Sequence, residues 1–121
     1  MSSLHLVAVV QLTALPVWLA LSRAQRRDVI AAQVQPALSA HADCSVRWLD
    51  AEAMTATCSD VVLVETDDLR SWHHLWEALR DSALFAVPYF RLESLVVGAE
   101  DAYEDHERTL EDAGHDQGRP A

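Results

Sequence analysis

Two stretches of this 121-residue chain are apolar at odd and even positions alike: SLHLVAVVQL, residues 3–12, and VVLVE, residues 61–65. A strand sends successive side chains to opposite faces, so such a strand expects burial on both. The rest of the chain supplies two main helical segments. TALP closes the first strand, and Pro16 suits the first position of a short turn, PVWLAL. Ser22 opens a long helix, and SRAQ has the spacing of a capping box. That helix reaches about His41. Val29, Ile30, Gln33, Val34, Ala37 and His41 share one of its faces. Pro36 predicts a kink, because the carbonyl of Ala32 loses its donor.

CSVRWLD, residues 44–50, alternates as a strand. Its hairpin with 61–65 sets Asp50 near Ser59 and Cys44 near Glu65. TDDL starts a second helix to about Asp81, with Asp67 and Asp68 placed to cap it. YFRLESLVVG, residues 89–98, is the last strand. The order β-α-β-β-α-β is the split βαβ pattern. The predicted class is α+β, ferredoxin-like: a four-stranded antiparallel sheet with two helices on one face. Residues 1–103 form the domain, and residues 104–121 an acidic tail, a short helix followed by disorder. Two helices cover one sheet face, yet the strands are apolar on both. The uncovered face expects a second copy, giving a homodimer of the dimeric α+β-barrel kind.

Charge narrows the partners. The formal net charge is −10 and the pI about 4.8, which argues against nucleic acid and against an anionic membrane surface. From Glu100 onward there are eight Asp/Glu against two Arg. The chain has no lysine, which excludes Schiff-base chemistry by its own side chains. Residues 4–21 are apolar, but they lack a positive start and are interrupted by His5, Gln11, Thr13 and Pro16. They read neither as a signal peptide nor as a span, and a cytoplasmic location is expected. Cys44 and Cys58 do not face each other in the hairpin and are expected as free thiols. No Gly-rich nucleotide loop, nucleophile elbow or C-x-x-C is present, so no cofactor is expected.

WLALSRAQR, VRWLDAEAM, SDVVLVETDDL, WEALRDSALF, PYF and VVGAEDAY together resemble the darcynin-like proteins of bacteria, over roughly residues 5–105. The resemblance implies a dimeric α+β barrel. That wider group includes small cofactor-free monooxygenases, aromatic polyketide cyclases and isomerase-like proteins. It also implies a site between the sheet and its two helices, and it carries over no catalytic residues.

Candidate residues follow from position. In LRSWHHLWEALR, residues 69–80, Trp72, Leu75, Trp76 and Leu79 form one stripe at about 100° per residue. His73 falls on the stripe's edge and His74 opposite it. Adjacent histidines lack the spacing to chelate one metal, so no metal is expected. His73 reads either as an exposed partner of Glu77 or as a pocket-rim acid/base. Trp18, Trp48, Trp72 and Trp76 read as core, or as a box for a flat hydrophobic substrate. Gln33 sits on an apolar helix face, bonding a strand or lining a cavity. His5 on the first strand and Glu65 at the end of a buried strand are further acid/base candidates. Tyr89, Arg91 and Glu93 share one face of the last strand. Arg91 and Glu93 make cross-strand or cross-dimer salt bridges, or Arg91 anchors an anion. Asp50 and Glu52 read as turn formers. Two functions stay open. One is a cofactor-independent enzyme cyclising, isomerising or oxygenating an aromatic or polyketide-like metabolite. The other is a non-catalytic homodimeric binding or interaction module. A pocket of about 300 Å³ with convergent polar groups would favour the first.

Overall fold

The computed structural model describes residues 4–117. Strand β1, His5–Ala14, lies inside a four-stranded antiparallel sheet of order β2-β3-β1-β4. It alternates between two environments. Ala8, Val10 and Leu12 are buried beneath the helices, whereas Val7, Val9 and Gln11 are half-buried on the other face. Strand β3, Asp60–Thr66, repeats the pattern, with Val62 and Val64 inside and Val61, Leu63 and Glu65 on the helix-free face. This is the predicted α+β, ferredoxin-like arrangement.

After β1 the short helix α1, Pro16–Leu19, starts on Pro16 as expected. Helix α2, Arg23–Val29, carries the predicted capping box in full. Gln25 N–H donates to Ser22 Oγ at 3.1 Å, and Ser22 N–H donates to Gln25 Oε1 at 2.8 Å. The expected single kinked helix to His41 is instead three segments. A π-turn, Ile30–Val34, separates α2 from α3, Gln35–Ala40. Gln35 N–H donates back to Ile30 O. The extra residue in the turn puts Pro36 in the first turn of a new helix, where a missing N–H costs nothing.

Strand β2, Ser45–Asp50, pairs with β3 one residue away from the predicted register: Asp50 opposes Asp60, and Ser45 opposes Glu65. The reason is apolar matching. This register puts Val46 against Val64 and Trp48 against Val62 on the helix-covered face; the predicted one would set Trp48 against Val61, which faces away. Cys44 and Cys58 are both buried and free.

Helix α4, Leu69–Asp81, is capped by Asp68, which accepts from Arg70 N–H at 3.0 Å. Helix α5, Ala83–Ala86, follows at once. Strand β4, Phe90–Glu100, begins after Tyr89 and runs past Gly98. The β1–β4 register shifts between Gln11 and Leu12, leaving Glu93 as an extra residue on β4. Helix α6, Ala102–Gln117, completes the fold. Much of the acidic tail is therefore helical; the disorder expected at its very end falls on residues 118–121, outside the described residues, as does Ser3 at the predicted start of β1.

Candidate functional site

The space between sheet and helices is held by aromatic rings. Trp72 and Trp76 stack at 5.5 Å with planes 15° apart, and Trp76 meets Phe85 edge-on at 5.6 Å. Trp48 rises from β2 and meets Phe90 at 6.0 Å. Leu75, Leu79 and Leu84 fill the floor at 0–5 % exposure. The gap left among Trp48, Trp72, Trp76, Phe85 and the sheet offers about 10 Å³ to the centre of a water molecule, and no polar atom faces it. That is about the minimum volume for one water, in a lining that gives a water nothing to bond. The pocket of about 300 Å³ with convergent polar groups, expected of an enzyme here, is not formed.

The slot has a built rim. Trp48, Trp76 and Phe85 are half-buried, while Trp72 is 6 % exposed. The Arg80 guanidinium lies 5.8 Å over the outer face of the Trp76 ring. The Trp48 indole N–H donates to Asp60 Oδ2 at 2.7 Å, and Ser59 Oγ donates to Asp60 Oδ1 at 2.6 Å. Ala14 N–H in turn donates to Ser59 Oγ at 2.7 Å. Asp60 is buried, so both carboxylate oxygens need these donors. This latch fixes the Trp48 ring from behind.

Asp60 and Ser59 acquire these roles only in the folded chain. Their signal was a carboxylate and a hydroxyl directly before a buried strand. They also border a separate, open cleft of about 250 Å³ at the end of the sheet, with Trp18, Arg26, Asp50 and Glu52. Asp50 and Glu52, expected as turn formers, thus stand on its rim. Arg26 is tied to backbone there, donating to Trp18 O at 3.3 Å and to Leu19 O at 3.0 Å. Trp18 packs on Tyr89 and Phe90 at 5.4 and 5.0 Å and does not line the slot.

The proposed acid/base residues lie elsewhere. His73 is exposed on the outer side of α4 beside His74, which accepts from Arg70 Nε at 3.3 Å. His5 and Glu65 lie on the helix-free sheet face. His5 Nδ1 is 2.7 Å from Asp67 Oδ1, and His5 Nε2 is 3.7 Å from Glu65 Oε1. The Asp67 hydrogen bond leads in raising the His5 pKa, with Glu65 adding to it. Arg91 bonds Glu93 within its own strand at 2.7 Å rather than across strands or copies. That contact, followed by Thr13, holds the Glu93 carboxyl below the usual range. Gln33 is a correction: it is exposed and neither bonds a strand nor lines a cavity. Its Oε1 accepts from Ala83 N–H at 3.0 Å, satisfying the start of α5. Among the described residues no group of three or more His, Cys, Asp or Glu is arranged to hold a metal. No helix there is long and apolar enough to cross a membrane.

A split βαβ sheet backed by helices, with an aromatic wedge between the layers, defines an α+β protein of the ferredoxin-like class. Solved structures share the fold. Chlorite dismutase from Candidatus Nitrospira defluvii in complex with imidazole superposes with a TM-score of 0.67 at 17 % identity, covering 82 % of this chain and 41 % of that one. A mutant of the same enzyme gives 0.68 at 15 % identity, over 87 % and 43 %. The chain thus spans less than half the length of these enzymes. The chain belongs to the darcynin family, described as a domain of unknown function, whose profile matches residues 3–112. It is 36 % identical over 77 residues to darcynin of Chromobacterium violaceum, covering 64 % of this chain and 98 % of that protein. It is 33 % identical over 89 residues to darcynin 1 of Acinetobacter baumannii, covering 74 % and 99 %.

Proposed function

We propose that this darcynin is a homodimeric binding module for a small, flat, apolar molecule. The observation that carries the reading is the slot itself: three indoles and Phe85 around a dry gap with no polar atom facing it. Trp76 is the movable wall. It is half-buried, lies at the rim, and stacks face to face on the buried Trp72. A ligand in its place would keep that stack, so it should be planar and about the size of an indole. Acid/base catalysis would need an ionisable group at the gap. None of His5, Glu65, His73 and Arg91 lines it, so binding is favoured over cyclisation, isomerisation or oxygenation.

The homodimer is proposed on the helix-free sheet face. Val7, Val9, Val61 and Leu63 form its half-buried centre, with Leu49 and Val96 exposed at 44 % and 63 %. A second copy would remove this surface from water.

The binding test uses 1-aminoanthracene, whose fluorescence rises in apolar sites. The wild-type protein should bind it saturably and lose tryptophan emission. Trp76→Ala, which opens the slot without a ligand having to displace a ring, should bind about tenfold more tightly. An engineered apolar cavity behaves in this way. Absence of saturable binding by both proteins would sink the reading.

A further inference from the structure

Helix α6 stands off the body of its own chain. It leaves the end of edge strand β4 through Asp101, whose φ of 56° turns the chain, and among the described residues it has no extended packing against any other element. Its sixteen residues span about 24 Å. A helix of that length is marginal in water unless an amphipathic face is packed. α6 has such a face. Tyr103 and Leu110, one heptad apart, are exposed at 73 % and 58 %. Beside them Glu104, Glu107 and Glu111 form a row at spacings of three and four residues.

The complementary surface lies on α2 and the π-turn. Arg26, Arg27, Ile30, Ala31 and Gln35 line a shallow groove of about 400 Å³. Arg23 lies one turn before Arg27 on the same side. Among the described residues, no carboxylate is within ion-pair distance of Arg23, Arg26 or Arg27. The only acid on α2 is Asp28. Glu107 and Glu111 are four residues apart, as are Arg23 and Arg27, and the two rows are opposite in sign.

The helix does not reach this groove on its own chain. Phe90 pairs with Ala14 at the end of the sheet where Arg26 bonds α1. From there β4 runs about 36 Å before α6 begins. β4 is also one edge of the sheet, whereas Ile30 and Gln35 border β2, the opposite edge.

We propose that α6 of one copy docks in the α2–π groove of a second copy. Tyr103 and Leu110 cover Ile30 and Ala31, and Glu104, Glu107 and Glu111 face Arg23 and Arg27. This contact is separate from the sheet face and does not rest on the ligand slot. It gives the otherwise unsupported helix its packing surface, and the charge pairs set its register.

Cysteine cross-linking between full-length chains tests it. One population carries Leu110→Cys and a size tag; the other carries Ala31→Cys. Mild oxidation of the mixture should give a covalent heterodimer at least tenfold faster than a control pair with Ala53→Cys in place of Ala31→Cys. Glu104→Arg, Glu107→Arg and Glu111→Arg in the first population should remove that advantage. Arg23→Glu with Arg27→Glu in the second should restore it. Circular dichroism of each variant confirms that the fold persists. Cross-linking no faster than the control, ring closure within a single chain carrying both cysteines, or indifference to the charge reversals overturns the proposal.

Discussion

Replacing Trp72 with alanine lowers folding stability by about 3–5 kcal/mol. The ring is 6 % exposed, stacks on Trp76 and borders a gap with almost no spare volume. Its removal loses the transfer free energy of an indole and leaves a hole that the helix–sheet sandwich cannot close. Domains of this size are commonly stable by about 5–15 kcal/mol, so the loss is a large share of the total. The neighbouring change His73→Ala, on an exposed side chain, should stay within about 0.5 kcal/mol. Urea denaturation of the two variants reads the difference. Equal losses would mean that Trp72 is not the wedge between the layers.

The second large effect concerns the sheet face. Val9 lies between Leu63 on β3 and Val96 on β4, with no cation opposite it in either pairing. In an isolated chain Val9→Asp puts the new carboxylate in water, and the fold persists. In a face-to-face dimer it is buried without a partner, at about 3–5 kcal/mol per copy. At 1.4 kcal/mol per tenfold, the dissociation constant should weaken by at least about 100-fold. On a background of Arg23→Glu with Arg27→Glu, which removes the separate α6 contact, sedimentation equilibrium should move from twice the 13.4 kDa chain mass to the chain mass itself, with an unchanged circular dichroism spectrum. Val9→Thr, which keeps the shape and adds no charge, should move it far less. A wild-type chain that sediments at 13.4 kDa at micromolar concentration would refute the dimer.

What was legible in the sequence is what local chemistry decides. The Ser22–Gln25 box and the Asp68 cap are specified within four residues, and both form as read. The two-faced strands and the Trp72–Leu75–Trp76–Leu79 stripe follow from periodicity alone. Features that depend on distant segments were not legible. The π-turn is one way of accommodating Pro36, and a simple kink satisfies the same local rule. The β2–β3 register differs by one residue from the turn-based expectation because Trp48 must share a face with Val62 and Val64. Asp60 becomes a latch only once that register brings the Trp48 indole within 2.7 Å. Gln33 serves the start of α5, fifty residues further on, so its own helix gives no hint of that role. The histidines of LRSWHHLWEALR face water, and the tryptophans beside them line the gap of the proposed site.

That site can be read directly by titrating naphthalene into isotope-labelled protein and following the four indole N–H resonances by NMR. The slot reading predicts that the Trp72 and Trp76 signals move most, Trp48 less because Asp60 holds its N–H, and Trp18, outside the lining, hardly at all. Movement of Trp18 alone, or of none of the four at saturating naphthalene, would contradict it.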